Sequence, residues 1–209
     1  MYAVIIRLAR LFAWLFYRHR VYGREHLKDG AFIIAPNHVS YLDPPLTAVS
    51  SPKKVYFLAR KTLFKGLFGK LIYLLGSRPV SSDTANAQVF KEIEALLKRG
   101  ERIIIFPEGT RSETGEFNEV KAGIFLLFQR THCGIQPTYL FGTNKVWGKE
   151  ARRPKLFGRT GCVFGSPILW ERYADLEKKE ASVQFAKDLK TAILALQKWH
   201  QRGCHGIPP

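Results

Sequence analysis

Two short stretches hold the residues best suited to chemistry. Residues 37–44 read Asn-His-Val-Ser-Tyr-Leu-Asp-Pro, so His38 and Asp43 stand with four residues between them. Residues 106–112 read Phe-Pro-Glu-Gly-Thr-Arg-Ser, which puts Glu108 and Arg111 in a glycine-containing turn. Histidine is the natural general base, because its ordinary pKa lies close to working pH. A carboxylate on one ring nitrogen would fix the tautomer and stabilise the imidazolium that forms. A guanidinium can hold two oxygens of a phosphate at once, and the amides of Gly109 and Thr110 could add to that grip. A base beside a fixed cation suits proton removal from a substrate that bears a negative group.

Each stretch directly follows an apolar run, AFIIAP before the first and RIIIFP before the second. Two strands ending in polar loops would bring His38, Asp43, Glu108 and Arg111 to one edge of a sheet, where open α/β sheets build their ligand sites. The pattern predicts helices at 2–19, 44–50, 62–75, 84–99, 119–132 and 174–201, with strands at 31–36, 55–58, 78–80, 102–106, 135–141 and 160–164. Asp83 fits the N-cap of the Ala85–Lys98 helix and Gly100 its stop. The terminal helix has a stripe to bury that includes Val183, Leu189, Ile193 and Leu196. Alternating strands and helices in 209 residues imply a single α/β domain, spanning 21–202, with a mostly parallel central sheet flanked by helices. The tail at 203–209 is expected to be disordered.

The chain has 33 basic against 17 acidic residues and a net charge of +16. Such an excess suits an anionic membrane or nucleic acid. The cations are spread along the chain with no named nucleic-acid motif, so nucleic acid is not expected as a partner. Three cysteines without CxxC spacing argue against disulfides and zinc and for a reducing, cytoplasm-facing location. Residues 1–20, MYAVIIRLARLFAWLFYRHR, lack a small-residue cleavage site, so a secretory signal is not expected. A helix from Tyr2 to Tyr17 would reach only about 24 Å against a hydrocarbon core of about 30 Å. Arg7 and Arg10 near its middle would cost about 2.5–3.5 kcal/mol each at the bilayer centre. Lying in the interface is the better solution. Arg7, Arg10, Trp14, Tyr17 and Arg18 share one helical face, and Val4, Ile5, Leu8, Leu11, Phe12, Leu15 and Phe16 take most of the other, as in surface-seeking helices. The same stripe could instead pack on the domain.

The two motifs resemble the HxxxxD and FPEGTRS blocks of the glycerolipid acyltransferases, most closely those acting on lysophosphatidate. The similarity runs from about Tyr22 to Ile168 and includes VKAG at 120–123, IQPTYLFGT at 135–143 and GCVFGSPI at 161–168. FPEGTRS is the specific element, since HxxxxD alone arises often by chance. The resemblance implies acyl transfer from acyl-CoA or acyl-carrier protein to the hydroxyl of a lysophospholipid, with no metal or other cofactor. It makes His38 the base and Asp43 its orienter, although Asp before Pro-Pro also reads as a helix cap. Arg111 would hold the phosphate, with Lys121 as a second ligand. Glu108 would bond a glycerol hydroxyl or pair with Arg111. Gln136 and Pro137 fall in the block associated with the acyl donor. The family's third block ends in an arginine where this chain has Ser82 in LGSRPVSS, leaving Arg78 as the nearby substitute and the acceptor open. The 62–75 segment, with Phe64, Leu67, Phe68, Leu71, Leu74 and Leu75 on one stripe among Lys61, Lys65 and Lys70, suits lipid contact, an acyl-chain groove or plain burial.

Lysophosphatidate is the leading acceptor, with glycerol-3-phosphate, another lysophospholipid or an amino-lipid as alternatives. An inactive lipid-binding relative is the competing reading from outside the enzymes. The enzyme reading places the protein on the cytoplasmic face of a membrane.

Overall fold

The computed structural model describes residues 2–60, 62, 64–74, 76–80 and 85–209. Seven strands, β1 (Arg20–Tyr22), β2 (Phe32–Pro36), β3 (Tyr56–Arg60), β4 (Ser77–Val80), β5 (Arg102–Ile104), β6 (Gly134–Phe141) and β7 (Gly161–Phe164), form one sheet ordered β1-β7-β6-β2-β5-β3-β4. Every pairing is parallel except β6 with β7. The helices are α1 (Tyr2–Tyr17), α2 (Asp43–Ser50), α3 (Gly66–Leu74), α4 (Ala85–Lys98), α5 (Ala122–Thr131), α6 (Thr143–Trp147) and α7 (Lys178–Gln201). The single α/β domain with a mostly parallel sheet is as the sequence predicts.

The continuous apolar runs of β2 and β5 make sense in this setting, because a central parallel strand is buried on both faces. Ile33 and Ile103 face a core shared with Leu97, Phe128, Phe185 and Leu189, from α4, α5 and α7. Ile34 and Ile104 face the other side, with Ile6, Leu46, Val49 and Ile72, from α1, α2 and α3. Val183, placed by periodicity on the buried stripe of α7, is exposed instead. β1 and α6 have no clear signal in sequence: one is an edge strand of only three residues, and the other is a single turn or so held by what surrounds it. The Asp83 cap and Ser82 lie outside the described residues.

The tail from Gly203 is bonded to the domain at several points. The Ser166 N–H donates to Pro209 O at 3.0 Å, His26 Nε2 bonds Pro208 O at 2.8 Å, and Trp199 Nε1 donates to His205 O at 2.9 Å. Its prolines need no donor partner, and Pro208 is buried beside Gly23.

α1 docks in an unexpected orientation. Its buried side is Ile6, Ala13 and Tyr17, and Arg10 lies on the docked side, donating from Nε to Val49 O at 2.8 Å and from Nη2 to Ser51 O. Tyr17 and Arg10 thus belong to the packed face rather than the outward one. The stripe of Val4, Leu8, Leu11, Phe12 and Leu15 is left exposed, with Leu8 at 61%. Small Ala13 lets the helix approach, and the cation finds the carbonyls at the end of α2. In α3, Ile72 is buried while Leu67 is 86% exposed, so this helix is not simply buried. Among the described residues no helix is long and apolar enough to cross a membrane.

Candidate active site

β2 and β5 are neighbours, and the loops that leave their carboxyl ends meet. The Ser112 N–H donates to His38 O at 2.8 Å, stitching one loop to the other. In the first loop, His38 Nδ1 lies 2.9 Å from Asp43 Oδ2. That same oxygen accepts the N–H groups of Val39 and Ser40, each at 2.7 Å. Asp43 opens α2, yet its carboxylate makes no cap of that helix; it turns back and organises the histidine loop. Three nitrogens thus converge on one buried carboxylate oxygen. The imidazole ring stacks on Phe106, with centroids 3.8 Å apart at 21°, and the side chain remains 17% exposed. Its second nitrogen, Nε2, is the one left to meet a substrate.

Glu108 is bonded to the backbone of both loops and not paired with Arg111. Oε1 accepts the His38 N–H at 2.7 Å and Oε2 the Asn118 N–H at 3.0 Å. Both oxygens are taken, the side chain is buried, and it makes no ion pair with Arg111. Burial pushes its carboxyl up, while the Asn118 and His38 amides pull it back. Glu108 is a brace between the two loops.

The Arg111 guanidinium lies over Tyr41, with Cζ 3.6 Å from the ring centroid. Nη1 is buried with no hydrogen-bond partner. A cation on an aromatic face is stabilised by the ring, and Nη1 is left as a donor without a partner in the protein. Tyr41 rests in turn on Trp147, centroids 5.1 Å apart, and Ser40 Oγ donates to Trp147 O at 2.7 Å. α6 therefore buttresses the histidine loop. Tyr41, Trp147 and Phe106 are the residues that sequence reasoning missed; Tyr41 and Phe106 sit inside the two motifs, but nothing in their type marks them.

Gly109 adopts φ +70°, a left-handed conformation that suits glycine. Its N–H already donates to Phe106 O at 3.1 Å, so of the two amides expected to hold phosphate, Thr110's is the better candidate. Lys121 stands at the N-cap of α5, and its Cγ would be 3.4 Å from a Cβ on Gly109, so its stem lies against the turn. An open, mainly apolar groove of about 390 Å³ begins here, lined by Phe90, Ile93, Phe106, Gly109, Ile124 and Leu127.

Three expected residues are not brought to this cluster. The Arg78 guanidinium lies between Tyr56 and Tyr73, 5.2 Å from each ring centroid, on an edge strand that β3 separates from β5. Gln136 and Pro137 are buried in β6, paired with Ile34 and Ala35. Gln136 Nε2 donates to Gly165 O, and Pro137 O accepts the Gly165 N–H at 2.9 Å. These contacts join β6 to the segment after β7. Among the described residues, no group of three or more His, Cys, Asp or Glu side chains is placed to hold a metal ion.

A family profile described as Acyltransferase matches residues 18–140. The chain is 28% identical over 179 residues to a chloroplastic 1-acyl-sn-glycerol-3-phosphate acyltransferase of Arabidopsis thaliana, covering 83% of this chain and 50% of that one. It is 28% identical over 181 residues to a 1-acyl-sn-glycerol-3-phosphate acyltransferase of Bacillus subtilis, covering 85% of this chain and 87% of that one. The crystal structure of the 1-acyl-sn-glycerophosphate acyltransferase PlsC from Thermotoga maritima is similar, with a TM-score of 0.70 and 26% identity over 91% of this chain and 78% of that one. This chain thus spans about half the length of the plant relatives it matches, 50% and 52%.

Proposed function

This chain belongs to the Acyltransferase family, and from that premise we propose that it transfers a fatty acyl group from a thioester to the free hydroxyl of lysophosphatidate, forming phosphatidate. One observation carries this reading. A histidine held by a buried carboxylate, His38 Nδ1 to Asp43 Oδ2 at 2.9 Å, shares its loop with Tyr41, whose ring carries the Arg111 guanidinium with Nη1 buried and without a partner.

In this mechanism His38 Nε2 takes the proton of the acceptor hydroxyl as its oxygen attacks the thioester carbonyl. The C–O bond forms, the C–S bond breaks, and the imidazolium returns the proton to the departing thiolate. Asp43 keeps the imidazole oriented and stabilises its charged form. A base so placed is worth about 10²–10⁴ in rate. Arg111 grips the phosphate, with Thr110 N–H and Lys121 as further donors. The groove leading from Phe106 suits an acyl chain. A thiolate is a good leaving group, so the step asks for no Lewis acid or prosthetic group. The donor is acyl-CoA or acyl-carrier protein.

The exposed stripe of α1 lies on an anionic membrane surface, on the cytoplasmic face, with Arg7 and Arg18 among the cations near the headgroups. Each such cation is worth about 1 kcal/mol.

The test is product formation by purified protein in mixed micelles with labelled acyl-CoA or acyl-carrier protein. Lysophosphatidate, glycerol-3-phosphate and lysophosphatidylglycerol are offered in parallel, with His38→Ala as control. Phosphatidate from the wild type alone is the expected result. A different acylated product would move the acceptor assignment, and no product with either donor would favour a lipid-binding protein without turnover.

A further inference from the structure

We propose that the loop Arg152–Arg159 is a second membrane contact, inserting Leu156 and Phe157 into an anionic bilayer surface beside α1. This rests on the reading above that the protein works at such a surface.

The loop reads RRPKLFGR, with Arg152, Arg153, Lys155 and Arg159 and no acidic residue. Leu156 is 58% and Phe157 66% exposed. Two large apolar side chains at the crest of a cationic loop stand largely exposed, and their backbone is not loosely hung. The Lys155 N–H donates to Val146 O at 2.9 Å, Gly158 N–H to Phe16 O at 3.1 Å and Thr160 N–H to Tyr17 O at 3.0 Å. Gly158 is needed for that approach, since a Cβ there would stand 2.4 Å from Val146 Cγ2. The backbone is thus tied to α6 on one side and to the end of α1 on the other.

Continuity with α1 is what selects the occupant. Phe157 stacks on Phe16, centroids 5.6 Å apart at 22°, and Phe16 stacks on Phe12 at 4.5 Å. The row of rings runs on into the exposed stripe of Leu8, Phe12 and Leu15, making one apolar surface from two elements. An anionic lipid surface answers both features, because apolar groups enter below the headgroups and cations meet the phosphates. An acidic carrier protein would account for the charge but not for the shared apolar surface. Because the loop hangs from α6, whose Trp147 supports Tyr41 beneath Arg111, a second contact here would fix how the site stands over the bilayer. A lone helix would leave the domain free to roll.

The experiment compares wild type with Leu156→Ser/Phe157→Ser and Arg152→Glu/Arg153→Glu. Co-sedimentation uses phosphatidylcholine vesicles with and without phosphatidylglycerol. Turnover is measured on vesicle-embedded and on detergent-dispersed lysophosphatidate, and thermal melts check folding. Vesicle binding is expected to weaken about tenfold for the apolar pair. The charge pair should lose about five-fold or more per cation on anionic vesicles only. Turnover of embedded substrate should fall with binding, while that of dispersed substrate stays unchanged. Loop variants that bind as tightly as a binding wild type would overturn the proposal. So would a defect confined to carrier-protein donors with vesicle binding intact, which would mark the loop as a protein-docking surface. A wild type that turns over dispersed substrate but binds no vesicle would remove the membrane reading along with the proposal; one with no turnover in either form would strike the acyltransferase reading instead.

Discussion

Two histidines in this chain, His19 and His38, are each held by two well-formed contacts, and of the two His38 keeps a ring nitrogen open. His19 Nδ1 bonds Thr160 Oγ1 and Nε2 bonds Ser50 Oγ, both at 2.8 Å. Both nitrogens are spent on neutral hydroxyls at the junction of α1, α2 and β7. Burial, with the charge of Arg24 adding to it, pushes its pKa down to about 4. His38 has a carboxylate on one nitrogen, a ring stacked beneath it and an edge still open. Being well held does not make a histidine a base. The proposed base differs in having an anionic partner for one nitrogen and access for the other.

The sharpest way to break this contrast is to remove the open histidine. His38→Ala should lower kcat by about 10²–10⁴, with vesicle binding and melting temperature near wild type; near-normal turnover would end its assignment as base. Next is the anion. Asp43→Asn removes a charge-assisted bond worth about 1.5–3 kcal/mol, so kcat should fall about ten- to hundred-fold with the acceptor KM little changed. A rise in KM alone would make Asp43 a binding rather than an orienting group.

Glu108 offers a third comparison, a buried carboxylate that touches the histidine's backbone but not its ring. Glu108→Gln leaves one of two amides, His38 or Asn118, without an acceptor. Stability should drop by about 1–3 kcal/mol in urea titration, with kcat reduced less than in Asp43→Asn. The reverse order would mean that Glu108 acts in the chemistry.

The smallest change in activity is expected at His19, where the effect is on stability. Between about 6.5 and about 4 the unfolded chain binds a proton that the native His19 refuses. Its contribution is therefore complete above pH 6.5 and lost as pH falls toward 4, by up to about 3 kcal/mol. His19→Gln should flatten the fall of the urea midpoint across that window while leaving turnover at pH 7.5 intact. An unchanged slope would place the acid sensitivity elsewhere.

Much of the site is legible in the sequence because its parts are local. His38 and Asp43 are five positions apart in one loop, and Glu108 and Arg111 share one turn, so residue type and spacing carry their relation. Arg78 could not be judged that way. Its relation to the site depends on where β4 falls in the sheet, and the strand order sets it at an edge between two tyrosines. Gln136 and Pro137 likewise lie within a resembling block, but β6 buries them inside the sheet. Glu108's role turned on Asn118, ten residues away, and Arg111's resting place on a tyrosine from the other loop.

The sequence by itself determined the alternation of strands and helices, the two motifs and their order, and an α1 with one apolar face. Those are properties of short windows, set by periodicity and by residue chemistry. Only the tertiary structure decided which face of α1 would dock, that the terminal segment would be pinned by its prolines, and that the loop at 152–159 would join its apolar crest to the helix. Each of these depends on partners far apart in the chain, such as Phe16 with Phe157 and His26 with Pro208. No local pattern encodes such a pair, because it exists only after the chain has closed on itself.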